Sequence, residues 1–212
     1  MEYEYQGPKR GADRAVLLAH GAGADMNAAA LTTVADALAD AKIPSLRFNF
    51  PYKSAGRRSP DRAPALDASV REAAAELARV AKLSPERLVL GGRSMGGRYC
   101  SIVAGAEEDP LPALGLVLLG YPLHPPGKPD QLRVAHFPRL TMPSLFVSGT
   151  RDVFGSPDEL ERETKAIPGP VAWHWIESAD HGFKPLKSSG LSPAAALEGA
   201  AAATVRFVSS LS

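Results

Sequence analysis

The chain of 212 residues has 24 lysines and arginines against 23 aspartates and glutamates, and 45% of its residues are hydrophobic. These are ordinary globular values, which exclude a disordered chain. A net charge of +1 gives no electrostatic reason to expect a nucleic acid partner, and a single cysteine excludes both an intramolecular disulfide and a cysteine-based metal site.

The length predicts one domain over residues 1–212. Every apolar run is shorter than the roughly 20 residues that a membrane helix needs. The first residues, MEYEYQGPKRG, lack the apolar centre of a secretion signal. We therefore expect a cytoplasmic protein with no membrane partner, and the sequence leaves its oligomeric state open.

Short apolar runs alternate with longer helical stretches along the chain. Strands are predicted at residues 16–19, 44–50, 88–90, 114–119, 144–147 and 171–176, with a weaker one at 2–6. Helices are predicted at residues 27–41, 65–83, 96–106, 158–166 and 192–209. This alternation is typical of βαβ units, so we expect an α/β fold with a mainly parallel sheet of six or seven strands and helices on both faces.

Two long irregular stretches interrupt this pattern. Residues 51–64 carry the basic side chains Lys53, Arg57 and Arg58, and residues 121–143 are rich in proline. Loops of this length in a compact domain are usually functional or mobile. The basic loop is either an anion-binding segment or an ordinary solvated loop, and the sequence does not decide between them.

A candidate nucleophile lies in the segment Gly92-Arg93-Ser94-Met95-Gly96, which matches the pattern G-x-S-x-G. The segment follows a predicted strand and precedes a predicted helix, as a nucleophile elbow requires. Glycine at both flanking positions removes the Cβ atoms that would clash in such a tight turn. The alternative is a plain glycine-rich turn in which Ser94 only caps a helix.

A nucleophilic serine needs a base and an orienting acid, which follow the serine in the chain order Ser, Asp or Glu, His on this architecture. Asp152 and His181 each follow a predicted strand, so they are expected at the same sheet edge as Ser94. Other acids and imidazoles could in principle serve as the acid or the base, but each has a structural explanation as a turn, helix-end, strand or loop residue. These are Asp158, Glu159, Asp180, His136 and His174.

Acyl transfer also needs donors for the oxyanion. The expected donors are the backbone N–H groups of Met95, which follows the serine, and of Ala22, in the segment His20-Gly21-Ala22-Gly23 after an early strand. We expect the glycines to let the Ala22 N–H turn toward the substrate, and His20 to stabilise the loop. The predicted substrate-binding residues are mostly aromatic: Phe50, Tyr52, Tyr121, His124, Phe154 and Phe183.

The chain resembles the α/β-hydrolase superfamily. It is most similar to the small, lidless subgroup related to dienelactone hydrolases, and within it to bacterial counterparts of the testis-expressed and NSL-complex hydrolase-like proteins. The resemblance is carried by LLAHGAGADMN (17–27), RFNFPY (47–52), GGRSMGGR (91–98), LGYPLHPPGKP (119–129), SGTRDVFG (148–155) and DHGFK (180–184).

The resemblance implies Ser94, Asp152 and His181 as a catalytic triad, in agreement with the argument from the residues. The chain is short for the superfamily, so we expect the first one or two antiparallel strands to be reduced or absent and the cap to be missing. The prediction is a serine hydrolase that cleaves small carboxylic esters or thioesters and requires no metal or organic cofactor. The alternative is a binding or scaffold protein on a retained hydrolase fold.

Overall fold

The computed structural model describes residues 1–212 and contains one sheet of seven strands. The strands are β1 (Tyr3–Gln6), β2 (Ala15–Ala19), β3 (Ser45–Phe48), β4 (Leu88–Arg93), β5 (Gly115–Leu119), β6 (Ser144–Gly149) and β7 (Val171–Ile176). Their order across the sheet is β1-β3-β2-β4-β5-β6-β7. All neighbouring pairs are parallel except β1 with β3, which confirms the predicted mainly parallel sheet.

Helices cover both faces of the sheet, as predicted. They are α1 (Ala29–Asp40), α2 (Pro51–Ser54), α3 (Ala63–Ala81), α4 (Met95–Ala104), α5 (Pro157–Glu163) and α6 (Pro193–Ser210). One apolar core packs α3, α4 and α5 against the sheet, and a second packs α1 and α6 against the opposite face. Burial on both faces explains why the central strands are continuous apolar runs.

The structure differs from the sequence prediction at strand β4, which extends to Arg93 instead of ending at Leu90. Gly91 and Gly92 pair with both neighbouring strands, β2 and β5. A Cβ atom on Gly91 would lie 2.6 Å from the Val117 carbonyl oxygen. The two glycines therefore continue the strand because the neighbouring backbones approach too closely for a side chain.

The edges and connections of the sheet bear on access to its carboxyl end. One antiparallel strand, β1, is retained at the sheet edge, and α2 lies within the stretch predicted to be irregular. Between β5 and β6 the only regular element is the 3₁₀ turn Phe137–Arg139, so this connection carries no cap. No helix combines the length and apolar character needed to cross a bilayer.

Candidate active site

Ser94 lies in the sharp turn between β4 and α4, with φ 49° and ψ −114°. The first turn of α4 passes so close to β2 that a Cβ on Gly96 would lie 2.2 Å from the Ala19 carbonyl oxygen. A Cβ on Gly92 would lie at the same distance from that atom. The predicted steric reason for both glycines is therefore present. The same close packing holds Ser94 in a strained backbone conformation, whose energy the rest of the fold must offset.

Two hydrogen bonds link Ser94 to residues from distant parts of the chain. The Ser94 hydroxyl lies 2.9 Å from His181 Nε2, and His181 Nδ1 lies 2.7 Å from Asp152 Oδ2. Asp152 follows β6 and His181 follows β7, so the carboxyl ends of three parallel strands bring the three side chains together. The structure therefore connects the three predicted residues in a series, with His181 hydrogen-bonded to both Ser94 and Asp152.

The environment of Asp152 fixes the tautomer of His181. The carboxylate side chain has no exposed surface, and its Oδ1 accepts a hydrogen bond of 2.8 Å from the Phe154 N–H. An ionised carboxylate can only accept, so Nδ1 of His181 carries the proton and donates it to Oδ2. Nε2 is then the acceptor for the Ser94 hydroxyl, which is the arrangement that a general base requires.

The other candidates for the acid and the base have structural roles, as predicted. Asp180 Oδ1 accepts from the N–H groups of Gly182 and Lys184, which closes the turn that presents His181. His136 is buried, with Nε2 2.8 Å from the Ser101 hydroxyl. His174 lies within β7, where burial lowers its pKa.

Two backbone N–H groups beside Ser94 have no acceptor within the protein. Met95 is the first residue of α4, so its N–H has no intrahelical acceptor. The Ala22 N–H makes no hydrogen bond to protein, and Ala22 lines the same cavity as Ser94. Both predicted donors are therefore free and adjacent to the serine.

The loop that carries Ala22 is held by two buried rings. The Tyr52 hydroxyl donates to the Ala22 carbonyl at 2.8 Å, and burial raises the pKa of Tyr52 to about 12. His20 donates through Nδ1 to the Gly21 carbonyl, and its Nε2 accepts from the Phe50 N–H. Burial lowers the pKa of His20, which keeps the ring neutral in this role.

The reason predicted for the glycines of this loop needs correction. Neither Gly21 nor Gly23 has a positive φ, so neither supplies a left-handed turn. Both line the cavity, and a Cβ on Gly23 would meet no atom within 4 Å. The small residues keep the space above Ser94 open.

A cavity of about 510 Å³ opens beside Ser94 and His181. Phe154 and Phe183 line it, as predicted, and the Phe154 ring lies 4.2 Å from the His181 ring between centroids. The other lining residues are mostly small or apolar: Gly21, Ala22, Gly23, Ala24, Ala28, Ala29, Ala30, Arg93, Gly182, Lys184, Pro193 and Leu197.

Four of the six predicted substrate-binding residues do not line this cavity. Phe50 is fully buried in the core, and Tyr52 reaches the underside of the Ala22 loop. Tyr121 points into the core, where its hydroxyl donates to the Arg133 carbonyl. His124 is buried beside Glu159, with 3.5 Å between Nε2 and Oε1. Phe50 was predicted as the last residue of a strand, but β3 ends at Phe48. None of the four side chains lines the cavity.

Sequence reasoning missed the part of the lining that comes from the helix starts. Ala28–Ala30 precede and begin α1, and Pro193 and Leu197 belong to the first turns of α6. These residues carry no chemical motif. The available signal was the predicted start of each helix, because helix N-termini meet the carboxyl ends of parallel strands in this architecture.

The cavity wall carries two cations, Arg93 and Lys184, and no carboxylate. Arg93 donates through Nη1 to the Leu119 carbonyl, and its guanidinium carbon lies 4.5 Å from the centre of the Phe183 ring. Burial lowers the pKa of Arg93 to about 10, against the opposing effect of Asp152 and Asp180. Arg93 therefore remains charged at neutral pH next to the serine.

The basic loop lies outside the cavity. Arg57 pairs with Asp61 at 2.7 Å, and Asp61 also accepts from the Tyr52 N–H. Arg58 is exposed and forms no ion pair. The loop has a structural explanation through Asp61, and the alternative of anion binding by Lys53, Arg57 and Arg58 stays untested.

Comparison with known proteins agrees with the fold. A family model described as "Alpha/beta hydrolase domain" matches residues 12–209. Similar structures include a serine hydrolase homologue from Coxiella burnetii (19% identity, 97% of this chain and 90% of that one, TM-score 0.74). A dienelactone hydrolase from Anabaena variabilis has 19% identity over 99% of this chain and 91% of its own, with a TM-score of 0.73. A monoacylglycerol lipase from Paleococcus ferrophilus has 16% identity over 99% and 98%, with a TM-score of 0.71.

Proposed function

We propose that this chain, which belongs to the alpha/beta hydrolase domain family, is a serine hydrolase that cleaves small carboxylic esters or thioesters. The observation that supports this most directly is the hydrogen-bonded series Ser94–His181–Asp152 beside two free backbone N–H groups. Folding alone does not require a strained serine, a buried carboxylate and an imidazole in this order. The Ser-His-Asp mechanism of acyl transfer uses all three.

In the proposed acylation step, His181 Nε2 takes the proton of the Ser94 hydroxyl as its oxygen attacks the substrate carbonyl carbon. Asp152 stabilises the resulting imidazolium through the Nδ1–H bond. The N–H groups of Ala22 and Met95 donate to the oxyanion that forms, which is often the largest contribution to catalysis. Collapse of the intermediate breaks the ester or thioester bond, and His181 returns the proton to the leaving alcohol or thiol.

In the proposed deacylation step, His181 takes a proton from water, whose oxygen attacks the acyl carbon on Ser94. Collapse of the second intermediate releases the carboxylic acid and restores the serine hydroxyl. The connection between β5 and β6 carries no cap to exclude water. Water is therefore the favoured acceptor for the acyl group.

The cavity supports a small substrate. Its volume of about 510 Å³ suits a short acyl chain or an aryl group, and its lining is mostly apolar. Arg93 and Lys184 line the wall and no carboxylate does, so they disfavour a positively charged substrate, and the nearby Asp152 and Asp180 offset Arg93 only in part. We expect neutral esters to be preferred over choline esters of the same acyl group.

A fluorophosphonate probe tests the proposed nucleophile. Wild-type protein should be labelled covalently, whereas Ser94→Ala should not be labelled. Ser54→Ala is the matched control, because Ser54 is exposed and lies outside the cavity, and it should label like wild type. Equal labelling of wild type and Ser94→Ala, or of neither, would favour the alternative of a binding or scaffold protein.

A series of p-nitrophenyl esters tests the proposed substrate size. With the leaving group fixed, kcat/KM should be highest for acetyl or butyryl and should fall as the acyl chain outgrows the cavity. A maximum at long chains would contradict the proposed small-substrate specificity while leaving the nucleophile assignment intact.

A further inference from the structure

Three arginines surround a second pocket, of about 360 Å³, on the face covered by α4. Arg98 comes from α4, and Arg133 and Arg139 come from the long proline-rich connection between β5 and β6. The rest of the lining is His136 together with the small or apolar residues Ile102, Gly105, Ala106, Leu132 and Ala135. The pocket shares no lining residue with the cavity at Ser94.

The three guanidinium groups have no acidic partner. Seven other arginines of the chain form ion pairs with carboxylates, but Arg98, Arg133 and Arg139 form none within 4 Å. Asp67 lies with Arg98 in the adjoining hollow, but it accepts from Arg71 at 2.7 Å. The arginine cluster, defined by Arg98, Arg133 and Arg139, therefore pairs with no carboxylate in the protein. Arg98 has an aromatic contact, with 5.4 Å between its guanidinium carbon and the centre of the Tyr99 ring.

Arg98 is the least satisfied member of the arginine cluster. Its side chain donates no hydrogen bond to protein, and its Nε is buried without a partner. Arg133 has one long contact, 3.5 Å from Nη1 to the Pro122 carbonyl, and Arg139 donates through Nε to the Gly105 carbonyl. The two Nη groups of Arg98 also have no acceptor in the protein and, unlike Nε, are accessible, so they remain available to an acceptor that the protein does not itself supply.

The members of the cluster also repel one another. Burial and the nearby Arg98 lower the pKa of Arg133. Burial, Arg98 and Arg139 together lower the pKa of His136 to about 4. Since the whole chain has a net charge of only +1, this concentration of positive charge is a local feature of the pocket.

We propose that this pocket binds a small phosphate monoester. A phosphate dianion offers several oxygen acceptors, which match the forked donors of more than one guanidinium. Ile102 and Leu132 supply apolar surface for the organic part, and the volume limits the ligand to a small molecule. The backbone N–H of Arg98 donates to the Ser94 carbonyl, so the pocket adjoins the first turn of α4, next to the proposed nucleophile.

Calorimetric titration with phenyl phosphate tests the site. The full chain is used as Ser94→Ala, so the result does not depend on the proposed hydrolase activity. We expect saturable 1:1 binding, with Kd raised about tenfold or more by Arg98→Gln and by Arg133→Gln. Arg98→Gln removes no hydrogen bond within the protein, so it should fold normally.

Arg58→Gln is the matched control, because Arg58 is an exposed arginine without an ion pair outside this pocket. It should leave Kd within about twofold of the parent, as expected for a charge that makes no contact. An equal loss in Arg58→Gln, unchanged affinity in Arg98→Gln, or no saturable binding would overturn the proposal.

Two further measurements test the ligand class and its position. Benzoate, which carries a single negative charge, should bind more weakly than phenyl phosphate, and equal affinity would overturn the phosphate assignment. Bound phenyl phosphate should raise the pKa of His136 measured by NMR, because its negative charge offsets Arg98 and Arg139. An unchanged pKa would show that the ligand lies elsewhere.

Discussion

The carboxylate of Asp152 is engaged at both oxygens, by the His181 ring and by the Phe154 N–H, and has no solvent-exposed surface. Asp152→Asn is predicted to lower kcat by about 10⁴-fold, the scale seen when a triad aspartate is neutralised, because the amide favours the wrong tautomer of His181. Active-site titration with steady-state kinetics measures the loss. Retained circular dichroism would show that folding is intact, and near-wild-type turnover would move the acid role to another carboxylate.

The residues of the site differ in how far the sequence could predict them. Ser94, Asp152 and His181 each follow a strand in a recognisable local motif, and parallel strands place such positions at one edge. The direction of a loop side chain depends on tertiary packing instead. Phe50 and Tyr121 follow strands equally well, yet both turn into the core, so the aromatic lining was only partly predictable.

The elements that support the proposed oxyanion donors include α2, whose Tyr52 hydroxyl donates to the Ala22 carbonyl. Tyr52→Phe is predicted to lower kcat about tenfold with little change in KM, because the loosened loop no longer aims the Ala22 N–H. Tyr5→Phe is the control, since it loses a comparable bond to the Pro8 carbonyl far from the cavity. Equal kcat losses in both variants would contradict a positioning role for Tyr52.

The packing of α4 against β2 gives a second prediction at the scale of elements. Gly96→Ala should lower the free energy of unfolding by about 3 kcal/mol or more, because its Cβ would overlap the Ala19 carbonyl. Gly23→Ala should leave that free energy within about 1 kcal/mol of wild type, since its Cβ meets open space. Urea unfolding measures the free energy of unfolding of both variants. Similar losses would show that the close approach of Gly96 to β2 does not determine the cost of an added Cβ.

The type of each strand or helix could be predicted from apolar periodicity, whereas the residues at which the elements end depend on the strands that lie beside them. Gly91 and Gly92 resemble a strand stop when the sequence is considered alone, whereas pairing on both sides keeps them in β4. The caps were more predictable because they are local. Ser156 forms a capping box with Glu159, and Ser192 accepts from the Ala195 N–H. Each serine directly precedes a proline, a pattern that is typical of a helix start.

Across the whole molecule, the sheet order separates the proposed chemistry from the arginine cluster. The strands β4, β6 and β7 place the three side chains of the proposed triad at one edge. The connection between β5 and β6 leaves this edge, and its Arg133 and Arg139 line one pocket together with Arg98 of α4. The connection between β5 and β6 therefore carries no cap and instead lines one side of a second, positively charged pocket.

The stability of the whole molecule should depend on pH through His136. Its folded pKa of about 4 lies below the ordinary value of 6.5, so the unfolded chain binds more protons between these values. The contribution is complete above pH 6.5 and is lost as the pH falls toward 4, amounting to about 2 kcal/mol between about pH 7 and pH 5. Urea unfolding of wild type and His136→Asn at both pH values measures it. The variant should lose less stability on acidification, and an equal loss would mean that other groups set the pH dependence.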